Sequence, residues 1–207
     1  MNRRLRALCV ALLPVGLLVA CAKAPEPIDE GGLLQFVPAD TPYAFVSGRR
    51  LPETLRERLA DHAARQLSAQ RVAFREFQME LESGDAADDV PPELARAFIV
   101  ADALFAELEG RDTAAKLREL GIEPAPLAAY FGVGLLPAAR IEVADAAAVT
   151  ALLDRIERTA GVASTRGELA GQAYRRIDLG RIDAVLAVTS KHLVAGLLPD
   201  ALFERDL

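Results

Sequence analysis

Residues 173–197 read AYRRIDLGRIDAVLAVTSKHLVAGL, and this stretch decides the fold. Three runs rich in apolar and β-branched residues, 173–179, 182–188 and 193–197, have the length of strands and are separated by turn residues. The Gly-Arg pair at 180–181 is a two-residue connection whose leading glycine suits a type II′ turn. The stretch therefore predicts consecutive antiparallel strands.

Helices precede these strands in the sequence. A segment that starts at Pro52 carries apolar residues spaced by three, four or seven positions: Leu55, Leu59, Ala63, Leu67, Phe74, Phe77 and Leu81. This spacing predicts one long amphipathic helix whose apolar stripe packs beneath the sheet. A second amphipathic helix is expected to follow Pro92 and to form a hairpin with the first.

Capping residues delimit two shorter helices. Asp112 is expected to cap a helix that runs to Leu120, with Gly121 supplying the left-handed stop. Asp145 is expected to cap another helix, which Gly161 ends.

Additional strands are predicted at 43–46, 130–135 and 140–143. Runs of strands interleaved with helices in this way are typical of the α+β class. We therefore expect a largely antiparallel sheet packed against a long helical hairpin and a shorter helix, all within a domain that covers residues 33–207.

The first twenty residues differ in composition from the rest of the chain. Three arginines, Arg3, Arg4 and Arg6, precede an uncharged apolar run at 7–20. This layout is typical of a secretory signal peptide. A spanning helix needs about 20 apolar residues, and the run is shorter than that and interrupted by Pro14, so we do not expect it to span the membrane.

The end of the leader reads Leu18-Val19-Ala20-Cys21. Here the chain resembles bacterial lipoproteins, whose signal peptides end in a lipobox of this pattern. The resemblance implies cleavage before Cys21, attachment of lipid to its sulfur, and acylation of the new amino terminus. Membrane attachment is then expected through a palmitate-type lipid anchor at Cys21.

Residues 1–20 are therefore assigned to the signal peptide, and residues 21–32 to the lipidated cysteine and a flexible tether. Proline, acidic residues and a glycine pair dominate the tether, which would reach roughly 30 Å if extended. In Gram-negative lipoproteins a residue other than aspartate after the cysteine usually permits export to the outer membrane. Ala22 therefore predicts an outer-membrane location facing the periplasm.

Processing changes both the cysteine inventory and the charge. Cys9 leaves with the leader and Cys21 becomes a thioether, so a disulfide, a thiol nucleophile and a cysteine-ligated metal are all excluded from the mature chain. The 24 basic side chains fall to 21 against 30 acidic ones, which leaves a formal charge of −9. Nucleic acid is a poor partner for such a surface, so none is expected.

The order of elements, with the sequence PADTP at 38–42 near its start, loosely resembles a family of uncharacterised bacterial envelope lipoproteins with repeated α+β halves. That resemblance implies no activity. The carboxyl end reads ALFERDL after Pro199 and Asp200. Seven residues are fewer than the roughly 12 that a marginal isolated helix needs, which favours a chain cut short over a complete domain.

A search for catalytic motifs finds no P-loop, dinucleotide-binding glycine motif, nucleophile elbow or zincin motif. His62 and His192, the two histidines, are interpreted as surface or boundary residues rather than as a base or ligand. The acidic residues Glu82, Asp85, Asp88 and Asp89 could ligate calcium, but they lack the order of an EF-hand and favour a solvated loop between the helices. No catalytic residue, cofactor or metal is therefore expected.

Two smaller patterns were weighed. The sequence Gly-Val-Gly at 132–134 could let a ligand approach the backbone, but a strand bulge or close helix packing explains it better, because no helix N-terminus follows to bind a phosphate. Arg175 and Arg176 beside Tyr174 form a small basic and aromatic spot, which a solvated sheet face also explains.

Two hypotheses about function follow. The favoured one is a lipid-anchored, non-catalytic binding or assembly module of the cell envelope, with an envelope protein as its partner and the helical hairpin or the exposed sheet as its contact surface. The alternative is a periplasmic hydrolase that uses Asp or Glu as general acid and base. A convergent, buried pair of carboxylates in a cleft would favour the alternative.

Overall fold

The computed structural model describes residues 32–47, 49–83 and 91–200. A short 3-10 turn at Leu33–Phe36 precedes the first strand. The helices are α1 Glu53–Ser83, α2 Pro92–Glu107, α3 Ala114–Arg118 and α4 Ala146–Ala160. The strands are β1 Ala44–Val46, β2 Ala128–Val133, β3 Leu136–Glu142, β4 Thr165–Leu169, β5 Gln172–Asp178, β6 Ile182–Val188 and β7 His192–Pro199.

The seven strands form one sheet in the order β1-β2-β3-β7-β6-β5-β4, and every neighbouring pair is antiparallel. The last strand in the chain, β7, therefore lies in the middle of the sheet. This architecture confirms the α+β class. The prediction missed β4, whose residues TRGEL lack the apolar alternation of a half-buried strand because most of its side chains are exposed.

The hairpin between β5 and β6 follows the expected turn chemistry. The backbone N–H of Leu179 donates to the carbonyl of Ile182, which leaves Gly180 and Arg181 as the connection. Gly180 has φ 101°, a left-handed conformation that glycine adopts without the usual steric cost. The sequence prediction for this hairpin is confirmed.

Helix caps agree with the sequence at one helix and differ at another. Asp145 caps α4 by accepting from the N–H groups of Ala147 and Ala148, and Gly161 ends that helix in the left-handed region. The prediction that Asp112 caps α3 is wrong. Thr113 is the cap, because its hydroxyl accepts from the third residue of the helix, while Asp112 forms an ion pair with Lys116.

The apolar stripe expected on α1 is wrong in its first half. Leu55 and Leu59 are exposed, whereas Ala60 and Ala64 are fully buried. The small alanines let α1 approach α3 closely, and Asp61 reinforces the contact by accepting from the N–H of Ala114 at 3.1 Å. Close backbone contact, rather than side-chain size, selects the buried face here.

An aromatic cluster joins the second half of α1 to α2, as the hairpin prediction requires. The Phe74 ring lies 5.7 Å from Phe98 and 5.1 Å from Phe105, and Phe77 contacts Phe98 edge-on at 5.9 Å. These separations are typical of favourable aromatic pairs. The cluster holds the two long helices together.

The main apolar core lies among the four helices. Its buried members come from the four helices and from the residues that directly follow α2 and α3: Ala64, Ala103, Leu108, Leu117, Leu120, Leu152 and Ile156. Helix α4 lies directly on the sheet, and α2 packs on α4. The hairpin contacts the sheet at the β5–β6 turn, where Arg96 forms an ion pair with Asp178. The stripe of α1 thus packs on helices and not beneath the sheet as expected.

Register separates the sheet into two faces, because directly opposite residues on neighbouring strands point the same way. We call the face that carries Arg175 and α4 the front face. The opposite, back face carries the 3-10 turn, whose Leu33 packs with Ala129 and Phe131 in a second, smaller core. Helix α4 therefore covers part of the front face, and the 3-10 turn covers part of the back face.

Several predictions fall on residues outside the described ranges. These are the leader, Cys21 with its lipobox, the tether up to residue 31, the acidic residues Asp85, Asp88 and Asp89, and the carboxyl-terminal residues 201–207. Within the described ranges, each helix is too short or too polar to cross a bilayer.

The aromatic cluster generates a stability prediction. Replacing Phe74 with alanine removes two ring contacts and should lower the free energy of unfolding by about 3 kcal/mol. Phe45→Ala is the matched control, since that ring is 67% exposed and should cost under about 0.5 kcal/mol. Urea denaturation of both variants measures the difference. Equal losses would show that the cluster does not hold the hairpin.

Candidate functional site

A row of directly opposite side chains crosses the front face of the sheet. Tyr130 pairs with Ala139, Ala139 with Ala195, Ala195 with Leu186, and Leu186 with Arg175. Large side chains thus stand at both ends of the row and small ones in its middle. This order produces a depression, because the two alanine side chains extend less far from the sheet than the larger side chains on either side of them.

The depression is an open groove of about 250 Å³ that lies between strands β2 and β6. Its floor is Ala139, Ala195 and the backbone of Gly196, and its walls include Tyr130 and Leu186. The lining contains no charged side chain. An uncharged, apolar concavity on a solvent-exposed surface is suited to binding an apolar partner.

Exposed apolar side chains flank the groove. Phe45, the partner of Tyr130 on the edge strand, is 67% exposed, and Leu135 in the β2–β3 turn is 91% exposed. Tyr130 itself is 47% exposed at the groove wall, where partial burial raises the pKa of its phenol. The apolar surface therefore continues beyond the groove toward the edge of the sheet.

The Gly-Val-Gly pattern lies beside this surface and has a packing role. A Cβ on Gly132 would come within 2.8 Å of the Tyr43 ring, so glycine is needed for that ring to lie against the strand. Thr41 fixes the same contact, since its hydroxyl donates to the Gly132 carbonyl at 2.6 Å. The glycine does permit a close approach, but the approaching group is the Tyr43 ring and not a helix, and Gly132 lies in regular pairing with Pro137 rather than in a bulge.

Arg175 ends the row under α4. Its side chain is 10% exposed and donates to Asp154 at 2.7 Å and to Glu157 at 2.8 Å. The hydrogen bond from Arg175 holds the pKa of the Asp154 carboxyl below its usual range. The sequence pattern left Arg175 as a solvated residue, but the structure buries it as the ion pair that attaches the helix layer to the sheet.

Arg176 points to the opposite face, as the alternation of a strand requires. It donates to Asp183 at 2.7 Å, and Asp183 is fully buried. The second carboxylate oxygen of Asp183 has no hydrogen-bond partner among the described residues. Asp178, which is directly opposite Asp183, is exposed, so the two do not form the buried carboxylate pair that would favour a hydrolase.

The two histidines lie far apart in the fold. His62 is exposed on α1, as expected of a surface histidine. His192 begins β7 on the back face, where Arg140 Nη2 lies 3.4 Å from its Nδ1 and the Phe36 ring centroid lies 6.3 Å from its own. Burial, followed by the charge of Arg140, lowers the pKa of His192.

A cluster of potential metal ligands would be a second kind of site alongside the groove. Among residues 32–47, 49–83 and 91–200, no group of three or more histidine, cysteine or acidic side chains could hold a metal ion. The groove, by contrast, offers shape and apolar contact. Of the features formed by the described residues, this groove is the one best shaped to contact another molecule.

Sequence reasoning missed the groove because its floor is made of alanine and glycine, which carry no chemical motif. Ala139 and Ala195 lie far apart in the sequence, and only the register of β3 against β7 places them side by side. The pairing of these two small residues is what forms the groove floor.

No family model, curated protein or solved structure matches this chain.

The Arg175 ion pairs generate a second stability prediction. Arg175→Met leaves two acidic side chains of α4 without their buried partner and should lower the unfolding free energy at pH 7 by about 3 kcal/mol. Arg166→Met is the control, because Arg166 pairs with the same Asp154 from a 67% exposed position and should cost under about 1 kcal/mol.

The loss should also depend on pH. The lowered pKa of Asp154 gives stability that is present above its unfolded value, about 3.9, and is lost as the pH falls through the folded value. The difference between wild type and Arg175→Met should therefore narrow below about pH 4. Urea titrations at pH 7 and pH 3 measure it, and a difference that stayed constant would contradict this role for Asp154.

Proposed function

We propose that this protein is a lipid-anchored module of the bacterial cell envelope that binds or assembles with an envelope protein and carries out no catalysis. The observation that carries the proposal is the open, uncharged groove on the front face of the sheet. The contact surface is the groove together with Tyr130 and Phe45. Its occupant is an apolar segment of the partner protein.

The charge distribution supports an apolar occupant. Charged residues make up 26% of the chain, yet none lines the groove. The arginine nearest to it in the row, Arg175, is neutralised by two carboxylates of α4. A charged partner would find no counter-charge in the groove, whereas an apolar one would bury surface at roughly 25 cal/mol per Å².

The fold does not need the groove to be filled. The apolar core among the four helices and the smaller core on the back face are each closed by side chains of the described residues. Tyr130, Leu186 and Ala195 belong to neither core. Exposed apolar surface that is continuous in space is typical of an interaction site.

Anchorage rests on the lipobox. Lipid at Cys21 would hold the domain at the membrane through the tether of residues 21–32, and Ala22 favours the outer membrane with the domain in the periplasm. A tethered module meets its envelope partners by diffusion in two dimensions, which raises their effective concentration.

Metabolic labelling tests the anchor. Cells expressing the full chain are grown with radioactive palmitate, and wild type is compared with Cys21→Ser. Label should be present in the first and absent from the second, because thioether lipidation requires the cysteine sulfur. Cys9→Ser is the matched control and should label like wild type. Equal labelling with and without Cys21 would contradict the anchor.

Site-specific photocrosslinking tests the groove. A photoreactive amino acid at position 130 should form one discrete protein adduct in cells, and the same amino acid at Leu169 should not. Leu169 is a fair control because it is 63% exposed and lies on the edge strand at the other side of the sheet.

Ala195→Arg supplies the decisive comparison, since an arginine on the groove floor would fill the groove and place a charge in it. The adduct at position 130 should then be lost while the unfolding free energy stays within about 1 kcal/mol of wild type. An adduct that survives Ala195→Arg, or that contains phospholipid instead of protein, would contradict the proposed contact.

A further inference from the structure

We propose that Arg140 and His192, held by Phe36 on the back face of the sheet, form a binding site for a phosphoryl oxyanion. This site is separate from the groove, because Arg140 and Tyr130 belong to opposite faces: Arg140 pairs with Val194, one position along β3 from the Ala139 of the groove row.

The first observation is a guanidinium without a counter-ion. Within the described ranges, no carboxylate lies within ion-pair distance of Arg140, whereas other partly exposed arginines, such as Arg71 and Arg111, each pair with one. Glu142, which lies two residues along the same strand and directly opposite His192, is already bound by Arg50 and by the backbone N–H of Leu127. Arg140 is thus left with its positive charge uncompensated.

The second observation is that the guanidinium is fixed in place. Its central carbon lies 3.6 Å from the centroid of the Phe36 ring, a close cation–π contact that covers one face of the group. Its Nε is buried and has no hydrogen-bond partner among the described residues. Part of the cost of ordering a long side chain has therefore been met before any ligand arrives.

His192 supplies a second donor. A guanidinium can only donate, so the contact at 3.4 Å requires Nδ1 of His192 to accept and places the ring proton on Nε2. Within the described residues that Nε2–H has no hydrogen-bond partner. A planar cation and an imidazole N–H side by side are the donor types that bind phosphoryl oxygens.

The electrostatics of the site favour an anion. Burial, the charge of Arg140 and the charge of Lys191 lower the pKa of His192, while Glu142 acts in the opposite direction. A bound phosphate would offset the repulsion between Arg140 and a protonated ring, so binding should raise the pKa of His192. The local positive charge also contrasts with the net charge of −6 of the whole chain.

The phosphoryl group could come from free phosphate or from a phospholipid headgroup. The location is compatible with both sources, because the site is partly exposed and lies beside the 3-10 turn at Leu33–Phe36, where the chain enters the domain. The experiment therefore includes one arm for each source.

The first arm follows the histidine rings of the full chain by NMR during titration with inorganic phosphate. The resonance of His192 should shift and its pKa should rise, while the exposed ring of His62 serves as an internal control that does not respond. Arg140→Gln should weaken phosphate binding about tenfold or more, the factor expected for loss of a charge-assisted hydrogen bond.

Arg181→Gln is the matched control variant, because Arg181 is exposed at the β5–β6 turn, away from the site. Arg140→Lys is a second variant that keeps the positive charge but not the planar guanidinium, so it distinguishes loss of binding from loss of folding. Its affinity for phosphate should lie between those of wild type and Arg140→Gln.

The second arm measures sedimentation of the protein, in its unlipidated Cys21→Ser form, with vesicles of phosphatidylglycerol or of phosphatidylcholine. A headgroup site should favour the anionic vesicles and lose that preference in Arg140→Gln. Binding in either arm that depends on Arg140 supports the site and identifies its source. If neither ligand binds, or if Arg181→Gln weakens binding as much as Arg140→Gln, the proposal is overturned.

Discussion

The ion pairs between Arg175 and helix α4 are the constraint on which the rest of the structure depends. An arginine on a strand is buried only if carboxylates compensate the loss of water, and Asp154 and Glu157 supply them from successive turns of one helix. The neighbouring Arg176 is compensated by Asp183 on the opposite face. A helix placed on the wrong face, or a strand displaced by one residue, would leave charges buried without partners.

The groove follows from this arrangement. Helix α4 is fixed over β5 and β6 by the Arg175 ion pairs. It therefore does not cover the part of the front face that carries Ala195 and Ala139 on β7 and β3. Small residues there leave a depression, and Tyr130 forms its far wall. A larger residue at Ala195 would fill the space at little expense to either core, since Ala195 belongs to neither of them.

The sequence predicted local elements well and long-range pairing poorly. Asp145, Gly161 and Gly180 mark their helix ends and turn because each acts on its own backbone within a few residues. The buried face of α1 escaped prediction because alanines and leucines offered two competing stripes, and contact with a distant helix chose between them. The groove and the Arg140 site were missed for the same reason. The role of an alanine or of a single arginine on a strand depends on its cross-strand neighbours, which the sequence does not specify.

The two faces of the sheet divide the proposed roles. The chain enters the domain at Leu33 on the back face, beside Phe36 and the proposed phosphoryl site, whereas the groove opens on the front face. If Cys21 carries the proposed lipid, a headgroup bound at Arg140 would hold the back face toward the membrane. The groove would then point away from the lipid surface, so that an apolar protein segment could reach it without competing with acyl chains.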